Sequence, residues 1–182
     1  ERKYKYWDMI KHETLGINSK FWKKRTKPID VHYDEGIFVG YRYFDQKNVE
    51  PLFPFGHGLT YTTFEYSSAN LDKQNLSEND NFSVSVTLKN EGKYKASEIV
   101  QIYFKSIETK VERPPKELMG FAKVELKPGQ EKNVKIDLNT SQLAYWEVDS
   151  SKNNGKKGWK VNPGKYKILI AASSRDVRLE KE

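Results

Sequence analysis

The sequence predicts a mainly β protein, most of which folds as a two-layer β-sandwich. Phe, Trp and Tyr make up 13% of the 182 residues, and aromatic side chains are enriched in strands. From about residue 62 onward, apolar and polar residues alternate, which is typical of strands with one buried face. Turn motifs that combine Gly, Pro and Asn interrupt this alternation. Together these three observations indicate short strands joined by tight turns.

Seven stretches carry the strand pattern. In the clearest one, Phe82, Val84 and Val86 interleave with Ser and Thr, so that one face is apolar. The motifs NEGK, KPGQ and NPGK supply turns between or beside the strands. Strands at this spacing predict a sandwich resembling an immunoglobulin or fibronectin type III domain, which we assign to residues 61–182. The predicted strands are Thr62 to Asn70, Phe82 to Lys89, Val100 to Lys105, Leu118 to Leu126, Lys132 to Leu138, Leu143 to Val148 and Lys165 to Ala172.

The first sixty residues do not continue this pattern. Residues 1–30 mix aromatic residues and lysines without a period of two or 3.6, so we predict an irregular segment there. From Ile37 to Phe44 the chain is apolar on both faces, which predicts a strand of the kind that lies inside a covered α/β sheet. We therefore assign residues 1–60 to an irregular N-terminal segment, the closing strand of an α/β domain, and a junction.

Composition excludes several classes of function. The chain has no cysteine, which rules out disulfides, thiolate nucleophiles and Cys-ligated zinc. Its three histidines are too scattered for an obvious metal set, and no cofactor is expected. Residues 1–30 hold nine Lys and Arg against four Asp and Glu, or +5 of the net +7, without an aromatic-basic recognition motif, so we expect no nucleic-acid partner. No apolar stretch is long enough to predict a membrane span, and the compartment is left open.

Several linked motifs resemble one enzyme family. YDEGIFVGYRYFD, followed by EPLFPFGHGLTYTTFEYS, is similar to the passage in glycoside hydrolases of family 3, the β-glucosidase type, where the second catalytic-region domain leads into a C-terminal fibronectin type III-like domain. NEGKYKASEIVQIYF, RPPKELMGFAKVELKPGQEKNVKIDL and WKVNPGKYKILIAASSRDVRL continue the resemblance in order and spacing. The resemblance covers about residues 31–179 and implies a C-terminal part of such an enzyme.

The resemblance also implies where the chemistry of the family lies. Its members are retaining glycosidases with a nucleophilic Asp in the N-terminal barrel and an acid/base Glu in the second domain. Both positions lie upstream of the passage that matches Tyr33, so we expect no catalytic residue in this chain. Within the chain, Asp34 and Glu35 would point to opposite faces of an extended segment, whereas Glu147 and Asp149 could share a face but lack an enclosing wall.

Residues 51–67, PLFPFGHGLTYTTFEYS, are interpreted as a stiff junction. Pro51 and Pro54 fix φ and remove two backbone donors, which favours a stiff, extended segment. Aromatic residues, Tyr61 among them, supply apolar area at a domain boundary. His57 lies between two glycines and is expected to be a junction residue; contact with a sugar hydroxyl or a role as general base is the alternative.

Two arginines complete the candidate junction or substrate-rim set. Arg42 lies between two tyrosines and needs a partner if it is buried, for which we expect Asp34, Asp45 or a carboxylate of a missing domain. Arg113, beside Glu112, is expected on a solvated loop that could approach an active-site rim. The candidate set is His57, Tyr61, Arg42 and Arg113.

Three hypotheses for the function follow. The first is an accessory, structural region of a glycosidase that packs against catalytic domains of the same or a partner polypeptide and is inactive alone in the hydrolysis of O-glycosyl bonds. The second is a free-standing carbohydrate-binding module that uses Tyr103, Trp146 and Trp159 to hold a β-glucoside or glucan. The third is a non-functional gene fragment, suggested by the unpaired strand at Ile37–Phe44.

Overall fold

The fold is described by a computed structural model of residues 32–109, 111–148 and 157–182. Residues 1–30, for which the sequence predicts an irregular segment, lie outside the described residues. Glu35–Glu182 forms one compact unit. The described part of the larger unit is built mainly from strands, which confirms the prediction of a mainly β fold. No helix in this described part is long and apolar enough to cross a membrane.

Two antiparallel sheets form the sandwich. The strands are β1 Phe64–Leu71, β2 Asn81–Asn90, β3 Ala96–Ser106, β4 Glu117–Leu126, β5 Glu131–Asn139, β6 Tyr145–Glu147, β7 Gly158–Lys160, β8 Tyr166–Ala171 and β9 Val177–Lys181. One sheet has the order β1-β2-β5, and the other has the order β4-β3-β8-β9. Strands β6 and β7 pair only with each other and form a separate two-stranded sheet. Three strands facing four is a sandwich architecture, as the sequence predicts.

The core lies between the two larger sheets. Phe82, Val84 and Val86 of β2 are buried there together with Val100 and Ile102 of β3. Burying a side chain of this size contributes about 1.5–3 kcal/mol to folding. These are the residues that the alternation assigns to the buried faces of the strands, so the period-two pattern of the sequence becomes the core of the fold.

Part of the outer face of the larger sheet is buried as well. Tyr103 of β3 and Leu169 and Ala171 of β8 form a second buried cluster, against which Tyr41 and Leu118 pack. Because successive strand residues point to opposite faces, these side chains face away from the core between the sheets. Another element therefore covers this face, and it comes from the chain that precedes the sandwich.

The covering element is helix α1, Tyr41–Lys47, which lies where the sequence predicts a strand over Ile37–Phe44. Gly40 begins the helix with φ 59°, a conformation that favours glycine, and Asn48 ends it in the left-handed region at φ 51°. The strand prediction is therefore wrong, and with it the expectation of a closing strand of an α/β domain at this position.

Tertiary packing explains the difference. Tyr41, Phe44 and Asp45 are half-buried at spacings of three and four residues, which is the period of a helix. The strand prediction followed from the β propensity of Ile, Val, Tyr and Phe, which depends strongly on context. A seven-residue helix has little stability by itself, so its contacts with the sheet hold it. The unpaired strand that suggested a gene fragment is replaced by this packed helix.

The strand predicted over Leu143–Val148 is only partly confirmed. The segment is preceded by a 3₁₀ helix at Thr140–Leu143, and the strand there, β6, is three residues long. The helix begins because the side chain of Asn139 accepts a 2.8 Å hydrogen bond from the N–H of Ser141, and the side chain of Gln142 accepts one of 3.0 Å from the N–H of Asn139. This capping box turns the chain out of the sandwich and into the β6–β7 hairpin.

Candidate functional site

The junction is fastened to the outer face of the larger sheet through helix α1. The ring of Tyr41 stacks on that of Phe55 with centroids 5.1 Å apart, and it meets the ring of Tyr103 edge-on at 5.8 Å. The Tyr41 hydroxyl accepts a 3.0 Å hydrogen bond from the backbone N–H of Leu118. One side chain of α1 thus contacts the junction on one side and two strands on the other.

A buried carboxylate ties α1 to two loops of the sandwich. The Asp45 side chain is 5% exposed, and its oxygens lie 2.7 Å from Lys116 Nζ and 2.8 Å from Arg175 Nε. The Arg175 guanidinium also donates to the backbone carbonyls of Phe44 at 3.1 Å and Val49 at 3.0 Å. A charge at this depth is tolerated because two cations neutralise it, and the pairing fixes the orientation of the helix.

Gln101 joins the junction to the sheet. Its Nε2 group donates to the carbonyls of Gly56 at 3.3 Å and Ala172 at 2.8 Å, and its Oε1 accepts a 2.6 Å hydrogen bond from the Tyr103 hydroxyl. Burial raises the pKa of Tyr103 well above its ordinary value, so the hydroxyl stays a donor. Gly56 has φ 79°, and a Cβ at this position would collide with the Gln101 amide, so the close approach requires glycine.

Asn90 fixes the end of the junction. This fully buried side chain accepts at Oδ1 from the Thr62 hydroxyl at 2.5 Å and from the Gly92 N–H at 3.0 Å. From Nδ2 it donates to the carbonyls of Tyr94 at 2.8 Å and Leu126 at 3.1 Å. Its amide has partners for both donors, which offsets the cost of burying it. Asn90 thereby holds the last residues of the junction against the turn after β2.

The solvent-facing surface of the junction and of the turn after β2 is apolar and open. The side chains of Leu52, Phe53, Leu59, Tyr61 and Tyr94 are between 63% and 93% exposed, and we call these five residues the junction face. The rings of Tyr61 and Tyr94 meet at 6.5 Å and border a depression of about 560 Å³. Clusters of exposed apolar side chains commonly mark surfaces that bind another protein or domain.

Two of the predicted site residues, His57 and Tyr61, lie in this segment. The His57 ring stacks on Phe53 with centroids 5.6 Å apart. The His57 N–H donates to the Pro54 carbonyl at 3.0 Å, so residues 54–57 form a turn that presents the exposed imidazole. Both residues thus belong to the exposed part of the junction, and contact of His57 with a sugar stays a prediction.

The other two predicted site residues, Arg42 and Arg113, share one carboxylate. Glu117 Oε1 accepts a 2.8 Å hydrogen bond from Arg113 Nη2, and Glu117 Oε2 lies 3.3 Å from Arg42 Nη2. Glu117 therefore takes the place of Asp34 and Asp45, the partners that the sequence suggests for Arg42. The correction follows from α1, because the helix directs Arg42 toward β4 while Asp45 pairs elsewhere.

Arg113 is buried and does not lie on a solvated loop as predicted. Its side chain is 6% exposed, and Nη1 donates a 2.7 Å hydrogen bond to the Leu143 carbonyl. The guanidinium carbon lies 5.0 Å from the centre of the Phe104 ring and 6.0 Å from that of Tyr145. Cation–π contacts and the Glu117 carboxylate offset the desolvation of the charge. Arg113 thus holds neighbouring segments together.

These charged residues line one side of a groove, and two tryptophans line another part of it. The groove has a volume of about 720 Å³, and its lining includes Arg42, Arg113, Glu117, Trp146 and Trp159. The two indoles are cross-strand neighbours on β6 and β7, with centroids 5.5 Å apart and planes at 82°. They are 52% and 70% exposed, respectively. We call this feature the tryptophan groove.

Other candidates from the sequence are separated by the fold. Tyr103, expected on the surface of a binding module, is fully buried because α1 covers the face of β3 on which it lies. Glu147 is buried, with Oε2 3.3 Å from the Tyr145 hydroxyl, and Asp149 lies outside the described residues. Among residues 32–109, 111–148 and 157–182, no three His, Asp or Glu side chains are grouped so that they could hold a metal ion.

The residues that fix the junction have roles that the sequence does not predict. A signal did exist for Gln101, which interrupts the apolar run of β3, and for Asn90, which begins the NEGK turn. A buried polar residue in a strand needs a specific partner, and such partners often hold two elements together. Asp45 and Arg175 gave no comparable signal, because their pairing depends on a helix that the local pattern does not predict.

Comparisons with known proteins give a consistent result. A family model described as a fibronectin type III-like domain matches residues 98–174. Thermostable β-glucosidase B of Acetivibrio thermocellus is 51% identical over 150 residues, which are 82% of this chain and 19% of that protein. The β-glucosidase of Kluyveromyces marxianus is 40% identical over 170 residues, 92% of this chain and 19% of that protein.

Solved structures agree in fold as well as in sequence. The structure of β-glucosidase 3B from Thermotoga neapolitana in complex with glucose matches 82% of this chain and 19% of its own, with a TM-score of 0.70 and 36% identity. The chain spans about a fifth of the length of the curated relatives it matches.

Proposed function

We propose that this chain, which belongs to the β-glucosidase type of glycoside hydrolase family 3 and contains its fibronectin type III-like domain, serves as an accessory region that packs against the catalytic domains and supports them. The catalytic domains are in the same or a partner polypeptide. Hydrolysis of β-glucosides is then a property of the assembled enzyme, and the chain alone does not turn over substrate.

The single observation that carries this proposal is the junction face. Four of its apolar side chains are exposed on the junction and the fifth, Tyr94, is exposed after β2, while hydrogen bonds and the Asp45 ion pairs bind the junction and α1 to the sandwich. Leaving such a cluster in water is unfavourable, and burying it against another domain would recover about 25 cal/mol for each Å² of apolar area. A surface that is apolar and rigid loses little conformational entropy on docking.

The share of the relatives that the chain covers supports the same view. The relatives named β-glucosidase are about five times longer than the matched region, and a retaining mechanism needs two carboxylates on opposite sides of the glycosidic bond. Within the described residues, the carboxylate that lines the tryptophan groove from β4, Glu117, is neutralised by two guanidinium groups. It is therefore suited to hold structure together and poorly suited to act as a nucleophile.

Complementation of a truncated enzyme tests the proposal. β-Glucosidase B of Acetivibrio thermocellus, shortened by the region that matches this chain, is mixed with the purified chain, and hydrolysis of an aryl β-glucoside is followed. We expect the mixture to hydrolyse the substrate faster than either part does alone. We also expect the truncated enzyme to have a higher melting temperature in the mixture than by itself.

Two variants make the test specific. Leu59→Ser combined with Tyr61→Ser removes the most exposed part of the junction face and should abolish complementation, whereas Ile107→Ser, an exposed apolar residue outside the junction face, should not. Turnover by the chain alone that is lost on replacing one of its own carboxylates would overturn the proposal. So would complementation that survives the double substitution.

A further inference from the structure

We propose that the tryptophan groove binds a neutral carbohydrate chain, with pyranose rings packed on the indoles of Trp146 and Trp159. This site is separate from the junction face and goes beyond the accessory role proposed above. The inference rests on four observations of the described residues: exposed indoles, a fixed base beneath them, a charge balance that disfavours anionic ligands, and polar side chains at the rim of the groove.

The first observation is the position of the indoles. Trp146 and Trp159 are exposed although both are among the side chains that gain most from burial. They lie at directly paired positions of β6 and β7, their rings meet edge to face, and both side chains are more than half exposed. The C–H face of a pyranose is apolar and flat, so it can cover an indole and remove apolar area from water.

The second observation is that the hairpin is fixed from its base. The Tyr145 hydroxyl lies 3.3 Å from Glu147 Oε2 and 3.3 Å from Asn162 Oδ1. The buried guanidinium of Arg113 lies against the Tyr145 ring. Strand β6 therefore has a defined position beside the 3₁₀ helix, and Trp146 projects from it. Preorganised aromatic side chains bind with a small entropic cost.

The third observation concerns charge. Glu117 lies between Arg42 and Arg113 and leaves these three groups with a net charge of +1, while Glu78 and Glu112 on the same groove bring −2. A phosphate or sulfate ligand requires an excess of cations, which this groove does not supply. A neutral ligand with many hydroxyls fits better than an anion, because it needs no counter-charge.

The rim supplies hydrogen-bonding groups for such hydroxyls. The side chain of Arg42 is 35% exposed and one of its nitrogens is engaged with Glu117, so other N–H groups face the groove or solvent. Glu112, Asn79 and Ser141 add acceptors and donors along the same lining. An apolar platform with a few polar groups at its edge is the usual composition of small-molecule sites, and the volume of about 720 Å³ lies within their range.

Oligosaccharide titration of the purified full chain tests the inference. Cellotetraose and laminaritetraose are titrated separately, and binding is measured by isothermal titration calorimetry. We expect saturable binding of at least one of them, and a loss of affinity of about ten-fold or more in both Trp146→Ala and Trp159→Ala, since each removes a stacking platform. Phe121→Ala, which removes an exposed aromatic side chain outside the groove, should leave binding unchanged.

Thermal melting of each variant verifies that it is folded, and size-exclusion chromatography at the titration concentrations reports self-association. Absence of saturable binding to either oligosaccharide overturns the inference, as does binding that both tryptophan variants retain. A dimer of the chain that Trp159→Ala dissociates would assign the indoles to an interface between copies and would also overturn it. If the tryptophan groove binds no oligosaccharide, the proposed accessory role still stands, because the complementation experiment tests residues of the junction face instead.

Discussion

Asp45 is the residue on which the placement of α1 depends most. Replacing it with Ala would leave Lys116 and Arg175 facing each other at a partly buried site without the carboxylate that neutralises them. We expect Asp45→Ala to lower the free energy of unfolding by about 3 kcal/mol, as is typical when one partner of a buried ion pair is removed. Chemical denaturation of the purified chain measures this change.

The matched control is Asp137→Ala. Asp137 also pairs with a lysine, Lys135 at 3.4 Å, but its side chain is 82% exposed. Exposed ion pairs contribute little, so this substitution should change the free energy of unfolding by less than about 1 kcal/mol. Equal effects of the two substitutions would show that the Asp45 cluster does not hold the junction.

Glu98 gives the fold a predictable dependence on pH. It is half-buried, and its Oε1 accepts a 3.2 Å hydrogen bond from the Tyr66 hydroxyl. Burial raises the pKa of Glu98 above its ordinary value of 4.5. A carboxyl with a raised pKa contributes stability below its unfolded-state pKa, and this contribution is lost as the pH rises through the folded-state pKa. We expect Glu98→Gln to raise the melting temperature at pH 7.

The size of that increase should shrink as the pH falls below 4.5, where Glu98 is protonated in both states. Glu125→Gln is the control, because a hydrogen bond from Lys95 holds the pKa of the exposed Glu125 carboxyl below its ordinary value. That group stabilises the fold above its unfolded-state pKa, so its replacement should not raise the melting temperature at pH 7. A lower melting temperature of Glu98→Gln at pH 7 would contradict the assignment.

At the scale of elements, α1 and the junction should behave as one unit with the sheet. Tyr41 connects them, since its ring contacts Phe55 and Tyr103 and its hydroxyl accepts from Leu118. We expect Tyr41→Ala to cost about 2–3 kcal/mol of stability, because the side chain is half-buried and its loss leaves both a cavity and an unpaired N–H. It should also speed hydrogen exchange in residues 50–60, measured by mass spectrometry.

Tyr43→Ala serves as the control on the same helix. Its side chain is exposed, and its ring contacts only its neighbour Phe44 among the aromatic contacts of the described residues. Both variants replace a tyrosine of the same helix with alanine, so they change the helix propensity by the same amount. A difference in their free energies of unfolding therefore reports the packing of Tyr41 on the sheet. Unchanged exchange of residues 50–60 in Tyr41→Ala would indicate that the junction is held by other contacts.

The whole molecule shows which parts of a fold a sequence can predict. Strands such as β2 were predicted because Val84 and Val86 alternate with polar residues, and a half-buried strand imposes that period directly. Helix α1 could not be predicted this way, since its residues have strand propensity and its stability comes from Tyr103 and Leu169 on the sheet that it covers. β7 is too short, at three residues, to carry a period.

The residues of the candidate site likewise differ in how far a local sequence pattern can predict them. The assignment of residues 51–67 to a junction follows from local chemistry, because Pro51 and Pro54 restrict the backbone within a few residues, and its stiffness stays a prediction. The predicted extended course is wrong at residues 54–57, where the chain turns. The burial of Arg113 depends on Phe104, Glu117 and Leu143, which meet it only in the folded chain. Long-range partners decide whether a charged residue is solvated or structural, and a single sequence does not list them.

Hydroxyl-radical footprinting of the junction face tests the central claim most directly. The chain is oxidised alone and in the presence of the truncated β-glucosidase described above, and oxidation of each side chain is measured by mass spectrometry. An accessory region that packs through the junction face predicts strong protection of Phe53 and Tyr61, while Trp146 and Trp159 in the tryptophan groove stay reactive. Unchanged oxidation of Phe53 and Tyr61, with the two proteins shown to be bound, would contradict the account.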